Sequence, residues 1–328
     1  MKGTVINMKK GNNACALHKT SIGGQAVIEG VMMRGPQKIA TAVRKPDGEI
    51  VVECNPIGKV RRNKILKLPI IRGCINFFDS MITGVKALMF SAKFFEVDEE
   101  GNQIEEEPGK FEAWLEKKLG SEKVLNAVIY FSVVLSLFFS VGLFIILPSV
   151  IVGFLKSLIE NHFLLTLAEG VVRILIFLIY LTLVAQMKDI KRVFMYHGAE
   201  HKSIHCYERG EELTVENVKK HTRLHPRCGT SFLLIVMVIS IIVFSFISWN
   251  NPITRLLLRL ALLPVVAGIS YEIIKFAGRH DNKLTAIISA PGRWLQYITT
   301  NEPDDSQIEV AIAALKAVIP EDKNEDKW

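Results

Sequence analysis

Four long apolar runs dominate the pattern of hydrophobic and polar positions. A membrane-crossing helix needs about 20 apolar residues, and four runs approach or exceed that length, at 124–147, 163–187, 231–249 and 256–277. Short connections join the runs within each pair, whereas a long polar segment, 188–230, separates the two pairs. The pattern therefore predicts two transmembrane hairpins, 124–187 and 231–277, in a mainly α-helical membrane protein with about four transmembrane helices.

Residues 70–95 are also apolar, but four charged side chains spaced by seven interrupt them: Arg72, Asp79, Lys86 and Lys93. On a helix these four form one narrow polar stripe along an apolar cylinder. The stripe favours an amphipathic helix that lies in the lipid headgroup region or packs against the bundle. We place it in region 61–123, together with an acidic linker and a lead-in helix. A fifth crossing is the alternative.

Both ends of the chain carry further predicted elements. Region 1–60 is expected to hold a small β unit. An apolar strand-like run at 26–33 lies between Gly24 and Gly35-Pro36, and two further runs, 39–44 and 49–53, flank a Pro-Asp-Gly turn. Region 278–328 reads as a tail with one short helix. Ser306 and Glu309 fit a capping box at the start of that helix.

The distribution of basic residues predicts the membrane orientation. Of the 40 Lys and Arg residues, 20 lie in 1–123, 9 in 188–230 and 6 in 278–328. The positive-inside rule puts these three segments on the cytoplasmic side, which an even number of spans allows. No apolar stretch follows the first basic residues, so we expect no cleavable signal peptide. The five cysteines all fall in these segments and are expected to be reduced thiols.

The formal net charge of +7 does not indicate a nucleic-acid partner. The basic residues flank apolar runs instead of forming one interleaved patch, and anionic lipid explains such flanking charge. The lipid bilayer is therefore the expected partner.

The candidate chemistry is concentrated in 188–230, which reads as a cytoplasmic His-rich loop. Five of the eight histidines fall within 29 residues. On a helix His197 and His201 share one face and are able to bind one divalent ion. Glu200 completes an H-x-x-E-H pattern, the inverted zinc-protease motif, in which Glu acts as general base. His205 continues the row but lies about 12 Å from His197, too far to share the same ion.

A catalytic zinc site then needs a third ligand from elsewhere. His225 is the first choice, and four further residues are candidates because the four-span topology brings them to the same membrane face: Cys228, Glu272, His280 and Asp281. Zinc is the expected ion, although iron or manganese suit His and carboxylate ligands almost as well.

Charges inside the apolar runs permit a second interpretation. Glu169 and Arg173 are four residues apart and favour a structural ion pair, whereas Arg259 is expected to snorkel to the outer interface. Glu272 is suited equally to a bundle hydrogen bond and to a site role. A transport pathway would also place charges in these positions.

Four long motifs resemble the bacterial YqhQ-like family: G-G-Q-A-V-I-E-G-V-M-M-R-G-P at 23–36, Y-H-G-A-E-H-K at 196–202, H-P-R-C-G-T-S-F at 225–232 and P-G-R-W-L-Q-Y-I-T-T-N-E-P at 291–303. The resemblance covers roughly residues 20–319. It implies a multi-pass protein of the bacterial cytoplasmic membrane, described as a predicted metal-dependent enzyme. It implies no particular substrate or reaction.

Three functions remain open from the sequence. The first is a metal-dependent hydrolase at the cytoplasmic membrane face, with zinc on His197, His201 and His225 and with Glu200 as general base. A lipid-linked or membrane-protein substrate would suit that position. The second is a transporter or metal-sensing membrane protein. The third is a non-catalytic assembly factor in which a closed site of His197, His201, His225 and Cys228 holds a structural metal.

Overall fold

The computed structural model describes most of the chain, namely residues 18–57, 68–95, 131–132, 134–155, 159, 161–246, 251–280 and 282–328. The predicted acidic linker and lead-in helix, the start of the first apolar run, and Asp281 lie outside the described residues. The described part is mainly helical with one small antiparallel sheet.

The sheet has four strands in sequence order, β1 Gly23–Val27, β2 Gly30–Arg34, β3 Lys38–Arg44 and β4 Ile50–Pro56. The predicted single strand 26–33 is wrong, since a tight turn divides it into β1 and β2. Glu29 adopts a positive φ of 48° in that turn, a conformation that non-glycine residues seldom occupy. Its carboxylate also accepts a 3.0 Å hydrogen bond from the Tyr196 hydroxyl.

Both faces of the two central strands, β2 and β3, are buried, whereas β1 and β4 are largely exposed. On one face, alternate residues of β2 and β3 pack against helices α4 Lys188–Glu208 and α9 Asp305–Val318. On the other face, Met32 and Val43 pack against helix α1 Ile71–Ala92. Because side chains alternate along a strand, β2 and β3 supply both cores.

Among the described residues, three helices are long and apolar enough to cross a membrane: α2 Val134–Gly153, α3 Phe163–Val184 within the longer helix His162–Val184, and part of α7 Pro252–Arg279. The third apolar run forms α6 Gly229–Ser245, a shorter helix of 17 residues. At 1.5 Å per residue α6 is about 26 Å long. The described helices thus supply three candidate spans where the sequence predicted about four.

Helix α2 continues past Pro148, where the apolar run was expected to end. Its segment Gly142–Ile146 is π-helical. Proline cannot bond the carbonyl four residues before it, which here belongs to Phe144. That carbonyl accepts a 2.8 Å hydrogen bond from Arg173 Nε of α3 instead. A side chain from the neighbouring helix thus satisfies the carbonyl that the proline leaves free.

Buried charges join three of the apolar helices. Glu169 of α3 accepts hydrogen bonds from Arg259 of α7 at 2.5 and 3.0 Å, from Arg173 at 2.9 Å and from Ser149 of α2 at 2.8 Å. The predicted Glu169–Arg173 pair is present. The prediction that Arg259 snorkels outwards is wrong, because a buried carboxylate within reach stabilises the guanidinium in place.

Helix α1 packs against α7 through small residues. A Cβ at Gly73 would lie 2.8 Å from Tyr271 Cβ, and one at Gly268 would lie 2.5 Å from Ile70 Cγ2. The polar stripe is used in part: Arg72 pairs with Glu272 of α7, and Asp79 pairs with Arg34 of β2. Of the two predicted placements for this helix, in the headgroup region or against the bundle, the structure shows packing against the helix bundle.

The C-terminal region is more ordered than the predicted tail. Helix α8 Lys283–Thr299 precedes α9, although Pro291 and Gly292 lie inside it. Asp304, with Gln307, forms the capping box of α9 that was predicted at Ser306 and Glu309. The predicted loop 188–230 likewise contains the 21-residue helix α4 and a short helix, α5 Val215–Lys219.

We expect the Glu169→Ala substitution to destabilise the protein by about 3–5 kcal/mol, because it leaves two buried guanidinium groups without their carboxylate. Thermal unfolding of the detergent-solubilised protein measures this loss. Ile179→Ala, on an exposed position of the same helix, is the control and should change stability much less. Equal unfolding temperatures for Glu169→Ala and wild type would contradict the role assigned to the ion-pair cluster.

Candidate metal site

The candidate site is built on the buried face of α4. His197, His201 and His205 lie four residues apart and therefore follow one another along this face. Glu200 and His201 are 4% and 1% exposed. Polar side chains are seldom buried so deeply without partners, so the hydrogen bonds of this face decide what it can bind.

His197, His201 and Cys228 form the first group, in which one ligand atom from each residue lies within 4.8 Å of the others. His197 Nδ1 donates to the Thr299 carbonyl at 2.8 Å, and His201 Nδ1 donates to the Arg223 carbonyl at 2.5 Å. A neutral imidazole bonded in this way keeps its lone pair on Nε2. Both rings are thus oriented as metal-bound histidines usually are.

Cys228 lies at the N-cap of α6, beside His197. Its Sγ is 3.2 Å from His197 Nε2 and also accepts a hydrogen bond from the Thr230 backbone. Burial raises the pKa of this thiol, but the positive charge of the imidazoles beside it, that of His197 foremost, outweighs burial and holds the pKa well below its usual value. The thiolate in turn raises the pKa of His197 to about 9 despite its burial, so a cation that binds here would displace the imidazolium proton. A thiolate beside two imidazoles is a suitable ligand set for zinc.

Glu200 lies next to this group without a complete set of partners. Its Oε1 accepts a 2.9 Å hydrogen bond from the Gly24 backbone of β1, whereas the buried Oε2 has no partner. Burial raises the pKa of the Glu200 carboxyl. A Cβ at Gly24 would lie 3.0 Å from the carboxyl group and 2.5 Å from the Met32 carbonyl, so the close approach requires glycine.

A second group follows directly along α4 and consists of His205, Glu208 and His225, whose ligand atoms also lie within 4.8 Å of one another. His205 Nε2 donates to the Leu224 carbonyl at 3.0 Å. Burial lowers the pKa of His225 to about 3, so its imidazole is neutral near pH 7. The ring centroids of His225 and His201 are 5.5 Å apart, which makes the two groups neighbours.

A third group consists of Cys206, Glu211 and His221, whose side chains already form hydrogen bonds within the protein. Cys206 Sγ donates to the Glu212 carbonyl at 3.5 Å, and burial raises the pKa of the thiol to about 11. His221 Nε2 bonds Glu211 Oε2 at 3.0 Å. A protonated thiol and an engaged imidazole make this group a poorer metal site than the other two.

Members of the first two groups line a cavity of about 230 Å³ between α4, β1, α1 and the start of α6. Glu200, His201, His225 and Cys228 form one wall of this cavity. The other walls include the Gly-rich strand β1, with Arg34, Ser80, Thr83 and Trp328. A small ligand in the cavity would therefore touch both the candidate ligands and Glu200.

Helix α8 and the segment after it hold the site in place. Gln296 accepts from the His225 backbone N–H at 2.7 Å and donates to its carbonyl at 2.7 Å. A Cβ at Gly198 would lie 2.1 Å from the Asn301 carbonyl, so this segment approaches α4 closely. Sequence reasoning missed Gln296, Thr299 and Gly24, because their contribution depends on contacts between distant elements.

The predicted site residues are thus distributed over several places. His197 and His201 lie together, and Cys228 is the third member of their group. His225, the first choice for the third ligand, lies in the second group instead. Glu272 lies apart from both groups, paired with Arg72. His280 is exposed and its Nδ1 donates to the Phe276 carbonyl at 3.0 Å.

Comparisons with known proteins agree with the resemblance seen in the motifs. A family model described as "Protein of unknown function (DUF1385)" matches residues 68–321. "Uncharacterized protein YqhQ" of Bacillus subtilis (strain 168) is 34% identical over 303 residues, which cover 90% of this chain and 92% of that protein. No solved structure matches the chain.

We expect His201→Ala to lower the bound metal by about one equivalent, because a group with two remaining ligands binds a divalent ion weakly. Elemental analysis of untagged protein, purified in detergent without added metal, measures the content. Cys228→Ser should cause the same loss, whereas His280→Ala, outside the group, should retain the wild-type content. Equal metal in wild type and His201→Ala would exclude His201 as a ligand.

Proposed function

The chain belongs to the DUF1385 family, and from the geometry of its site we propose that it is a metal-dependent hydrolase acting at the cytoplasmic face of the bacterial membrane. One observation carries the proposal. Three potential ligands, His197, His201 and Cys228, converge near Glu200, whose buried Oε2 has no partner, and His201, Cys228 and Glu200 line a cavity. Catalytic zinc sites combine three protein ligands with a position left open for water.

The donor atoms fit a divalent ion. His201 Nε2 is buried and has no hydrogen-bond partner in the protein. An unpartnered buried nitrogen lowers the stability of the fold, and a bound cation would remove this cost. His197 Nε2 and Cys228 Sγ lie within reach of the same point. A divalent ion bound there would lower the pKa of a water ligand and polarise the bond to be cleaved.

The roles of the chain's own residues follow from their contacts. Glu200 Oε2 would accept the proton of the attacking water and pass it to the leaving group. The Gly24 N–H fixes the other carboxylate oxygen, so the free oxygen keeps one orientation. The Thr299 and Arg223 carbonyls hold the two imidazoles in the tautomer that ligation requires.

The packing of the charges favours the hydrolase over a transporter. Glu169 is paired with Arg173 and Arg259, and Glu272 with Arg72. Charges that satisfy one another between packed helices stabilise a bundle. A structural metal is favoured less, because the first group has three members and lies at a cavity wall, whereas structural zinc sites are closed by four ligands.

We further propose a four-span topology in which α6 is the fourth crossing and both terminal regions are cytoplasmic. The site draws together the segment after α3, the turn before α6 and the helix after α7. These helix ends lie on one side of the bundle, as two hairpins would place them. The bias of Lys and Arg towards the same segments supports a cytoplasmic position.

The exposed face of helix α8 is an argument for a substrate that reaches the site from the membrane. Its inner face bonds the site through Gln296 and Thr299, while Trp294 and Tyr297 on its outer face are 69% and 58% exposed. Leu284 and Ile287 are exposed as well. Trp and Tyr are enriched where a helix meets the headgroup region, and α8 directly follows the candidate span α7. A lipid-linked or membrane-protein substrate would reach the cavity from this level.

We expect Glu200→Gln to abolish metal-dependent turnover while metal content and folding stay at the wild-type level, because the amide cannot take a proton from water. The assay is a panel of ester, amide and phosphoester substrates, lipid-linked and soluble, presented in mixed micelles with and without chelator. Asp189→Asn is the control, since it makes the same change on an exposed position of α4. Full turnover in Glu200→Gln would rule out its role as general base.

We expect Trp294 to contact lipid acyl chains. A variant retaining only this tryptophan, with Trp114, Trp249 and Trp328 replaced by phenylalanine, is reconstituted into phosphatidylcholine vesicles whose acyl chains carry bromine. Its fluorescence should be quenched strongly relative to unbrominated vesicles. The variant retaining only Trp328, which lines the cavity, is the control and should be quenched less. Equal quenching of both variants would contradict an interfacial α8.

A further inference from the structure

We propose that His205, Glu208 and His225 bind a second divalent cation, which makes the site dinuclear. The inference rests on the proposed function, because the second cation would adjoin the one bound by the first group. Two imidazoles and one carboxylate suit zinc, iron(II) or manganese(II), whereas the thiolate of the first group shifts that site towards zinc.

His225 and Glu208 do not hydrogen-bond each other, and their separation fits shared ligation. His225 Nε2 and Glu208 Oε2 are 3.8 Å apart, too far for a hydrogen bond. Two ligand atoms in one tetrahedral shell are about 3.4 Å apart when each bond is about 2.1 Å. The His205 ring centroid lies 4.7 Å from that of His225, so all three side chains border the same space.

The partners of Glu208 leave one carboxylate oxygen for a cation. Its Oε1 accepts a 2.8 Å hydrogen bond from the Thr20 backbone N–H and pairs with Arg227. Metal-binding carboxylates are commonly held in this way by partners on the oxygen that does not face the metal. Glu208 Oε2 then lies 3.8 Å from His225 Nε2, and His205, whose Nε2 donates to the Leu224 carbonyl, keeps Nδ1 for a cation.

The second group adjoins the first along one helix face. His197, His201 and His205 succeed one another at intervals of four, and Glu208 follows three residues later. His225 lies beside both groups, with ring centroids 5.5 Å from His201 and 4.7 Å from His205. Cations bound to the two groups would therefore lie beside neighbouring turns of the same helix face.

A purely structural network is the competing explanation. The Arg227 side chain pairs with Glu208 and lies 3.5 Å from His225 Nε2, and the Arg227 backbone N–H donates to His225 Nδ1 at 3.4 Å. These contacts would hold the turn before α6 in place, and the positive charge of Arg227 would weaken binding of a cation nearby. The two explanations differ in metal stoichiometry. They also differ in whether loss of Glu208 alters metal binding at all.

The test is a titration of metal-free, full-length protein in detergent with Co²⁺, in which bound cobalt is counted and the thiolate-to-cobalt charge-transfer absorption is recorded. Of the first two groups only the first contains a cysteine, so the part of this absorption that is lost in Cys228→Ser reports that group. We expect two equivalents in wild type and one in Glu208→Gln, with the absorption retained. His205→Ala should lose the same equivalent of cobalt, and it replaces Glu208→Gln in the test if that variant does not fold. His221→Ala is the control. It changes the hydrogen-bonded third group and should keep both equivalents of cobalt.

Each outcome decides between the proposals. One equivalent in wild type, unchanged by Glu208→Gln, would overturn the second site and leave the proposed function standing. One equivalent that Glu208→Gln abolishes, without thiolate absorption in wild type, would overturn the first group and with it the dinuclear centre. No bound cobalt in wild type would overturn both proposals.

Discussion

Burial of the polar face of α4 is the constraint on which the rest of the site depends. The sheet, α8 and α9 exclude water from side chains such as Glu200 and His201, and each polar atom left without a partner there costs about 1–3 kcal/mol. Backbone groups meet most of this need, through the Gly24 N–H and the carbonyls of Arg223 and Thr299. Of the buried α4 atoms that remain unpartnered, His201 Nε2 and Glu200 Oε2 belong to residues that line the cavity and are therefore the informative ones.

The close packing around α4 is a second consequence of this constraint. The Asn301 carbonyl lies where a Cβ at residue 198 would be, and the Glu200 carboxyl lies 3.0 Å from the corresponding position at residue 24. Glycine at both positions lets backbone groups approach the helix closely enough to replace water as partners. The fold thus uses small residues to bring main-chain donors and acceptors to functional side chains.

How much of the site could be predicted from sequence depends on how local each feature is. The pairing of His197 with His201, and the position of Glu200 beside them, follow from helical periodicity alone. Whether His225 or Cys228 lies beside His197 and His201 does not follow from periodicity. Only two residues separate His225 from Cys228, in a turn whose conformation depends on Gln296. Helix α8 was missed because Pro291 and Gly292 indicate a break, although tertiary contacts override this local preference.

The same distinction applies to the apolar helices. Hydropathy identifies the apolar runs. It does not identify Glu169 as the partner of Arg259, because the sequence does not show which helices are neighbours. Pro148 shows how such a partner changes local structure: the carbonyl that proline leaves free is bonded by Arg173, which Glu169 also holds. The charges in the apolar helices thus act on backbone geometry as well as on each other. A role in joining α2, α3 and α7 accounts for Glu169, Arg173 and Arg259 together, without any ligand crossing between these helices.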